Sequence, residues 1–172
     1  MALRTMKGRG SVLRFMVMSD LSLDTAGHYK RPAGFESSAL ELPEVTTSNT
    51  PISTETVNEE NPVMYGTPAP GEGEQWADSN PGVNSWQMTF DGNVQPLEAD
   101  RTAMEALRAA QTGGKVLWIE RRAVNETVFE GGAGFISSGD LPIPADAVVT
   151  FSFTVQGKGK FWLDTAAAAP SA

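Results

Sequence analysis

The 172-residue sequence predicts a mainly β fold, an antiparallel β-sandwich or barrel with one flanking α-helix and a long extended loop. Three observations predict it. Several stretches alternate apolar and polar residues, most clearly VVTFSFTVQ at 148–156, as half-buried strands do. One stretch, around 100–112, carries the apolar spacing of an amphipathic helix. Five prolines and four glycines between 48 and 82 predict a loop there rather than a long strand or helix.

The first predicted element is a strand at SVLRFMVMS, residues 11–19, where apolar residues on both sides indicate that both faces are partly covered. Residues 20–47 are mixed. HYKRPAGFESS is typical of a loop, and SALELPEVTT fits a short strand interrupted by Pro43. After the long loop, NSWQMTFDGNV predicts a half-buried strand that ends near residue 91. Its predicted inward residues are Trp86, Met88 and Phe90, and its outward ones are Gln87, Thr89 and Asp91.

The helix comes next, with Asp100 as its expected N-cap and Gly113–Gly114 as its stop. Its apolar face is predicted to hold Ala103, Met104, Leu107 and Ala110. KVLWIERR at 115–122 predicts a buried strand with a charged end, and ETVFE, AGFISSG and AVVTFSFTVQ predict further strands. In the last one, Val149, Phe151, Phe153 and Val155 should face the core, opposite Thr150, Ser152, Thr154 and Gln156.

Two glycine-rich stretches, EGGAGF at 130–135 and QGKGK at 156–160, resemble phosphate-binding loops only superficially. No helix pattern follows either one, and no Ser or Thr follows the lysine. Both are therefore interpreted as turns. The whole chain is expected to form one domain over 1–165, with an N-terminal arm at 1–10, the long loop at 48–82 and a flexible tail at 166–172.

The charge is distributed unevenly along the chain. The net charge is −8, yet residues 1–14 contain four cations and no acid, whereas Pro32 to Asp100 contain twelve acids and no Lys or Arg. Either the acidic middle simply keeps a loop solvated, or acidic and basic parts meet between neighbouring copies. Tight wrapping of DNA would need a clustered basic face and is not expected. No segment is long and apolar enough to span a membrane, so we expect a soluble protein that is not exported.

Catalytic chemistry finds little support. The chain has no cysteine, and its single histidine, His28, fits a loop residue better than a catalytic base. The acids of the middle segment could include a glycosidase-like pair, but nothing singles out two of them. Tyr65 and Trp76 in the long loop could bind sugar, although aromatic residues there more often pack against a neighbouring subunit. We therefore expect no enzyme, no cofactor and no metal.

The order of these elements is similar to that of the major tail tube proteins of long-tailed bacteriophages. The resemblance spans roughly 40–162 and rests on PEVTTSNT before the acidic loop, the SWQMTFDGNV strand, DRTAMEALRAAQTGGKVLWIERR, and GFISSGDLPIPADAVVTFSFTVQGKGKF, whose Pro-Ala-Asp, Val-Thr-Phe-Ser and Gly-x-Gly end is the most specific part. It implies a β-sandwich with a flanking helix that forms hexameric rings. In these rings the inner strands join into one barrel and the long loops reach into the next ring.

The resemblance also implies partners and a place. The partners would be further copies of the chain and the tape measure, tail terminator and baseplate proteins. Double-stranded DNA would pass through the lumen without specific binding, and the protein would be made in the host cytoplasm and end in the virion tail. Two other classes stay open, namely another β-sandwich virion component, such as a tail terminator or head-decoration protein, and a carbohydrate-binding module.

Three sets of residues are expected to carry the tube function. The inter-ring loop set is Ile52, Val57, Met64, Tyr65, Trp76, Glu59 and Glu60. The lumen set is Thr150, Ser152, Thr154, Gln87, Thr89 and Asp91. The basic ring contacts are Arg4, Lys7, Arg9, Lys158 and Lys160.

Overall fold

The computed structural model describes residues 12–19, 21–42, 44–58, 79–94, 97–123, 126–142 and 149–168. Their strands are β1 (Val12–Val17), β2 (Leu40–Glu41), β3 (Val45–Asn49), β4 (Ile52–Asn58), β5 (Ser79–Val94), β6 (Val116–Arg122), β7 (Glu130–Asp140) and β8 (Val149–Gly157). The helices are α1 (Phe35–Ser38) and α2 (Glu98–Thr112), with a 3-10 turn at Thr165–Ala168. The strands form one antiparallel sheet in the order β2-β1-β6-β7-β8-β5-β3, and β4 pairs with β5 off this path. The predicted mainly β class is confirmed.

The chain divides into two compact units. Ile52–Ser85 form the smaller one, and Met1–Pro51 with Trp86–Ala172 form the larger one. Strand β4 and the start of β5 lie in the smaller unit, where the Thr54 hydroxyl donates to Asn84 Oδ1 at 2.6 Å. These strands occupy both ends of the predicted 48–82 loop, so the prediction of a loop over the whole of this stretch is wrong at its two ends. Pro81 lies within β5, whereas Pro51 comes just before β4.

The sheet of the larger unit curls back on itself. Strands β2 and β3 lie at opposite edges of the sheet, yet only residues 42–44 separate them in the chain. The four steps from Glu41 to Val45 span about 14 Å at most, so the two edges must approach one another. Arg121 of β6, in the middle of the sheet, also reaches the edge strand β3, where its Nη1 donates to the Ser48 carbonyl at 3.3 Å. This curl matches the predicted sandwich or barrel.

The concave side of the curled sheet, which we call the core face, holds the main apolar cluster. Strands β1, β6, β8 and β5 each contribute every second residue to it, as their alternation predicts. Its largest members include Phe15, Ile119, Phe90, Phe151 and Phe153. Helix α2 packs onto this face through the four apolar residues predicted for it, Ala103, Met104, Leu107 and Ala110.

The ends of α2 differ in one respect from the prediction. Leu97, not Asp100, occupies the N-cap, and Asp100 lies buried in the first turn. The helix begins earlier than predicted because Glu98 adds a second acid to the first turn, where negative charge is favourable. The predicted stop is confirmed, with Gly113 as C-cap and Gly114 at φ 58°, a conformation that glycine adopts at little cost.

Several strand predictions are confirmed and others need correction. β1, β6 and β8 lie where expected, and β2 and β3 flank Pro43. β5 continues to Val94, because Gly92 and Asn93 stay paired with β8 instead of turning at Asp91. ETVFE is not a strand before Glu130, and HYKRPAGFESS contains α1. The tail does not begin at 166, since Thr165 and Ala168 are buried in the 3-10 turn.

The predicted turn at EGGAGF is wrong, because these residues form the buried first half of β7. The glycines are required by close packing rather than by a reversal of the chain. A Cβ on Gly131 would overlap the backbone carbonyl of Ile119, and one on Gly134 would collide with the Val155 side chain. A single sequence does not distinguish a glycine-rich strand from a glycine-rich turn.

QGKGK bends the chain without reversing it. Strand β8 ends at Gly157, and Gly159 has φ 82° and accepts a hydrogen bond from Trp86 Nε1 at 3.0 Å. Beyond the bend, Trp162 and Gly131 exchange two backbone hydrogen bonds of 2.7 and 2.8 Å. The chain therefore continues beside β7 up to the 3-10 turn, like a strand with a bulge at its glycine.

Candidate functional site

The face of the sheet opposite the core face has two unlike halves. One half, over β8 and β5, carries short polar side chains. Direct cross-strand partners point to the same side of a sheet, and the partners here are Gln87 with Gln156, Thr89 with Thr154, Asp91 with Ser152 and Asn93 with Thr150. All six residues of the predicted lumen set therefore share one surface.

This surface extends onto the two neighbouring strands. Ser138 and Asp140 of β7 pair with Thr154 and Ser152, and Thr47 and Asn49 of β3 pair with Asp91 and Thr89. We call the polar residues of this surface the polar wall; exposed Phe135 of β7, which pairs with Gln156, lies at its edge. Its members are Thr47, Asn49, Gln87, Thr89, Asp91, Asn93, Ser138, Asp140, Thr150, Ser152, Thr154 and Gln156.

The polar wall has a simple chemistry. Ten of its twelve members are neutral, and the two charged ones, Asp91 and Asp140, are both acidic. Its hydroxyls and amides interact locally, with Thr89 Oγ1 3.5 Å from Thr154 Oγ1 and Gln156 Nε2 donating to the Trp86 carbonyl at 3.2 Å. Directly beneath lie the packed rings of Phe90, Phe151 and Phe153, whose centroids are 6.0–6.4 Å apart. The wall is thus a polar layer on a rigid aromatic base.

The other half of this face, over β1, β6 and the start of β7, is covered. Trp118 and Ala133 are buried there beneath Phe35 of α1 and Ala168 of the 3-10 turn. Two segments form the cover, residues 21–39 and residues 158–168, and Arg31 N joins them by donating to the Ala168 carbonyl at 2.8 Å. We call this region the covered half.

A buried carboxylate lies at the centre of the covered half. Glu120 of β6 has no exposed side-chain surface and accepts hydrogen bonds from Trp118 Nε1 at 2.9 Å, Arg14 Nε at 3.1 Å and Arg31 Nε at 2.7 Å. Three donors replace its lost hydration, which makes its burial tolerable. The charged end predicted for this strand is therefore part of the interior at Glu120.

The same two arginines hold a second carboxylate at the surface. Arg14 Nη1 contacts Glu36 at 2.7 Å, and Arg31 Nη2 also bonds to Glu36. Hydrogen bonds from Arg14 and then Arg31 lower the pKa of Glu36 below its ordinary value. Burial acts to lower the pKa of Arg31, but hydrogen bonds to Glu120 and Glu36 outweigh it and the pKa is raised. The sequence does not reveal this network, because Glu120 lies 89 residues from Arg31 and 106 residues from Arg14.

Aromatic rings alternate with the arginines of the covered half. The Arg31 and Arg14 guanidinium carbons lie 4.8 and 5.2 Å from the Phe35 ring centroid. Arg14 and Arg122 lie 3.8 and 4.7 Å from the Phe129 centroid. We call the five residues Arg31, Phe35, Arg14, Phe129 and Arg122 the arginine stack. Cation–π contacts of this kind favour flat, fixed guanidinium planes.

The predicted basic contacts fall into two groups. Lys158 Nζ lies 5.5 Å from the Tyr29 ring centroid, and Lys160 Nζ lies 4.0 Å from that of Trp162, so both ammonium groups rest on aromatic rings of their own chain. Arg4, Lys7 and Arg9 lie outside the described residues. Their roles in ring contacts stay predictions.

The predicted inter-ring set is mostly beyond the described part of the chain. Ile52 is half exposed at the start of β4. Val57 lies in β4, with its side chain outside the description. Met64, Tyr65, Trp76, Glu59 and Glu60 also lie outside the described residues.

No site for metal or acid–base chemistry emerges from the described ranges. His28 lies in a turn where its backbone N–H donates to Asp24 Oδ1 at 2.8 Å, and its ring meets that of Trp162 edge-on. Among the described residues, no three His, Asp or Glu side chains are grouped to hold a metal ion. The helices described here are all too short or too polar to cross a membrane.

Comparison with solved structures identifies the fold. The chain superposes on a chain from the tail of an empty gene transfer agent (GTA) particle of C6 symmetry with a TM-score of 0.55, at 14% identity over 78% of this chain and 92% of that one. A chain from the native GTA virion gives 0.53, at 14% identity over 70% and 85%. The SPP1 tail tube gives 0.52, at 16% identity over 91% and 79%. The fold is therefore one found in tail tubes, as the sequence resemblance predicts.

No protein-family model matches the chain, and no curated protein sequence does.

Proposed function

We propose that this protein is a structural subunit of a tail tube, in which rings of six copies stack around a channel for DNA. The fold that it shares with the SPP1 tail tube and with the C6-symmetric GTA tail supports this assignment. The observation that carries it is the polar wall, a four-strand surface of short neutral side chains with two acids and no cation.

The wall suits the lining of a channel through which a duplex slides. DNA carries one phosphate charge per about 1.7 Å of its axis, so each cation on the wall would add a contact that must break during passage. Thr150, Ser152 and Thr154 offer only small hydroxyl groups. Asp91 and Asp140 repel phosphate weakly along the whole path. The aromatic base under the wall keeps these side chains from collapsing inward.

The role is structural rather than enzymatic, and the site of action is the virion tail after synthesis in the host cytoplasm. Partners would be other copies of the chain, the tape measure protein in the channel, and terminator and baseplate proteins at the two ends. Lys158, Lys160 and the basic arm with Arg4, Lys7 and Arg9 would meet acids of adjacent rings.

Stacking of rings would depend on the segment between β4 and β5. Its sequence carries Met64, Tyr65 and Trp76 beside acids such as Glu59 and Glu60, a mixture suited to burial against another subunit with charge-based specificity. Because the strands reach to Asn58 and from Ser79, the segment to remove is 59–78, not the whole of 48–82.

Negative-stain microscopy of the purified protein tests the assignment. The expected result is hollow tubes of uniform diameter, with sixfold end views. Isolated rings that never stack would point instead to a tail terminator, and a monomer at all concentrations would overturn the proposal. Replacing 59–78 by a short Gly-Ser linker should leave a folded protein, with the wild-type circular dichroism spectrum, that forms rings but not tubes. If this variant forms normal tubes, residues 59–78 are not part of the stacking contact.

A further inference from the structure

The last arginine of the arginine stack has no carboxylate partner in the part of the chain that the structure describes. Arg14 and Arg31 share Glu120 and Glu36, whereas Arg122 at the last position of β6 makes no ion pair with any described residue. The three arginines of the stack face two glutamates, which leaves one positive charge uncompensated at the Arg122 end. Neighbouring Arg121 differs, because its Nη2 pairs with Glu130 at 2.5 Å.

Arg122 is also held in one orientation. Its side chain is half buried, and its guanidinium carbon lies 4.7 Å from the Phe129 centroid, over the same ring that contacts Arg14. A guanidinium whose face rests on a ring still presents N–H donors along its edge. That edge matches the two oxygens of a carboxylate, and less side-chain entropy is lost on binding because the plane is already fixed.

We propose that Arg122 is a docking point for a carboxylate of a second copy of this chain. The inference rests on the self-assembly proposed above and names one contact within it. The occupant follows from charge: twelve acids and no cation lie between Pro32 and Asp100, so a neighbouring copy supplies carboxylates in excess. Duplex DNA is a poorer match, because a chain of net charge −8 repels phosphate at long range.

Arg122→Glu tests the contact, with Arg108→Glu as the matched control. Both changes reverse one charge, and Arg108 is exposed on α2 away from the stack. Sedimentation velocity and microscopy across a concentration series give the critical concentration for assembly. Arg122→Glu should raise it about tenfold or more, because like charges then face each other across the contact, whereas Arg108→Glu should change it less than about twofold. Arg122→Gln should give an intermediate rise in the critical concentration. It serves as the test if urea titration shows that Arg122→Glu does not fold.

A rescue experiment identifies the partner group. In the Arg122→Glu background, the acids between Pro32 and Asp100 are changed singly to Lys, leaving out Glu36, Glu41 and buried Asp100, which have contacts within their own chain. One of these changes should restore the wild-type critical concentration. Failure of every one would overturn the proposal.

Other outcomes separate the two proposals. If wild-type protein forms tubes and Arg122→Glu forms them equally well, the docking contact is wrong and the tube function stands. If Arg122→Glu lowers binding of a short DNA duplex while assembly is unchanged, the site takes phosphate and the proposal fails. If wild-type protein never self-associates, the tube function fails and the docking contact with it.

Discussion

The polar wall and the covered half lie on the same face of one sheet, yet one is bare and the other is packed under two segments. The difference follows from the residues that point outward. On β6 they are Trp118 and Glu120, one too apolar and one too charged to stand alone, and both are buried beneath the cover. On β5 and β8 they are residues such as Thr89 and Ser152, which need no cover. The sheet therefore keeps one half of a face free for function by using small polar side chains there.

The largest loss of stability is expected from a substitution directly below the polar wall. Phe153→Ala should lower the free energy of unfolding by about 3–5 kcal/mol, because it removes a fully buried ring from the aromatic base. Its neighbour Ser152 points to the wall and is exposed, so Ser152→Ala should change stability by no more than about 0.5 kcal/mol. Urea unfolding of both variants measures the contrast. Equal losses would mean that the wall itself stabilises the fold.

A second variant tests the covered half. Glu120→Gln should cost about 3 kcal/mol, because Arg14 and Arg31 lose the charge of their buried partner while keeping Glu36. Glu130→Gln is the control. Its ion pair with Arg121 is partly exposed, with side-chain exposures of 22% and 26%, and should contribute at most about 1 kcal/mol. A Glu120→Gln midpoint equal to the wild-type one would show that the cover does not depend on this carboxylate.

The wall should tolerate charge that the covered half would not. Changing Thr150, Ser152 and Thr154 together to Lys should alter stability by less than about 1 kcal/mol, since all three lie on the wall side of β8. DNA release from particles built with this variant should be slower, because the new lysines contact phosphates. The rate should recover at high salt, because each phosphate contact makes the slope of log affinity against log salt concentration more negative by about 0.9.

The control for this variant adds the same charge on the other side of the sheet. Thr102, Ala109 and Thr112 are exposed on α2, which packs on the core face, and their replacement by Lys should leave DNA release unchanged. If the two triple variants release DNA at equal rates, the polar wall does not line the channel.

The smallest effect concerns pH and Glu36. Its pKa in the folded protein is lowered, chiefly by hydrogen bonds from Arg14, below the ordinary value of 4.5. The stabilisation is present above that ordinary value and is lost as the pH falls through the lowered pKa. Glu36 is largely exposed, so we expect less than about 1 kcal/mol. Glu36→Gln should flatten the fall in stability as the pH drops below the ordinary value of 4.5, as acid titration in urea will show, and an unchanged slope would contradict this origin.

How far the sequence predicts the structure depends on the distance over which each feature is determined. Alternation within β8 and β5 is local, and it predicted which residues of these strands face away from the core. The six residues named for the lumen are among them, and their role in a lumen stays a prediction. Register is not local. Ser138 and Thr47 were missed because β7 and β3 shift register at bulges, so that simple alternation places the wrong residues outward.

Burial of charge was equally unpredictable from local pattern. Glu120 looked like the polar end of a strand, and only Arg31, 89 residues away, makes its burial possible. The glycines of β7 were misinterpreted for a related reason. Gly131 makes room for the backbone of β6 and Gly134 for Val155 of β8, and neither forms a turn. In both cases the deciding partner lies on another strand or segment.

The short link between β2 and β3 has a mechanical consequence. A tube that is slit along its length twists easily. The same tube joined along the slit resists torsion, because the joined edges can no longer slide past each other. Residues 42–44 join the two edges of the sheet, and the contact of Arg121 with Ser48 adds a second stitch across the gap. The sheet of the larger unit is thereby linked along its open side. A tube assembled from such pieces would derive part of its torsional stiffness from inside every subunit, before any contact between subunits is counted.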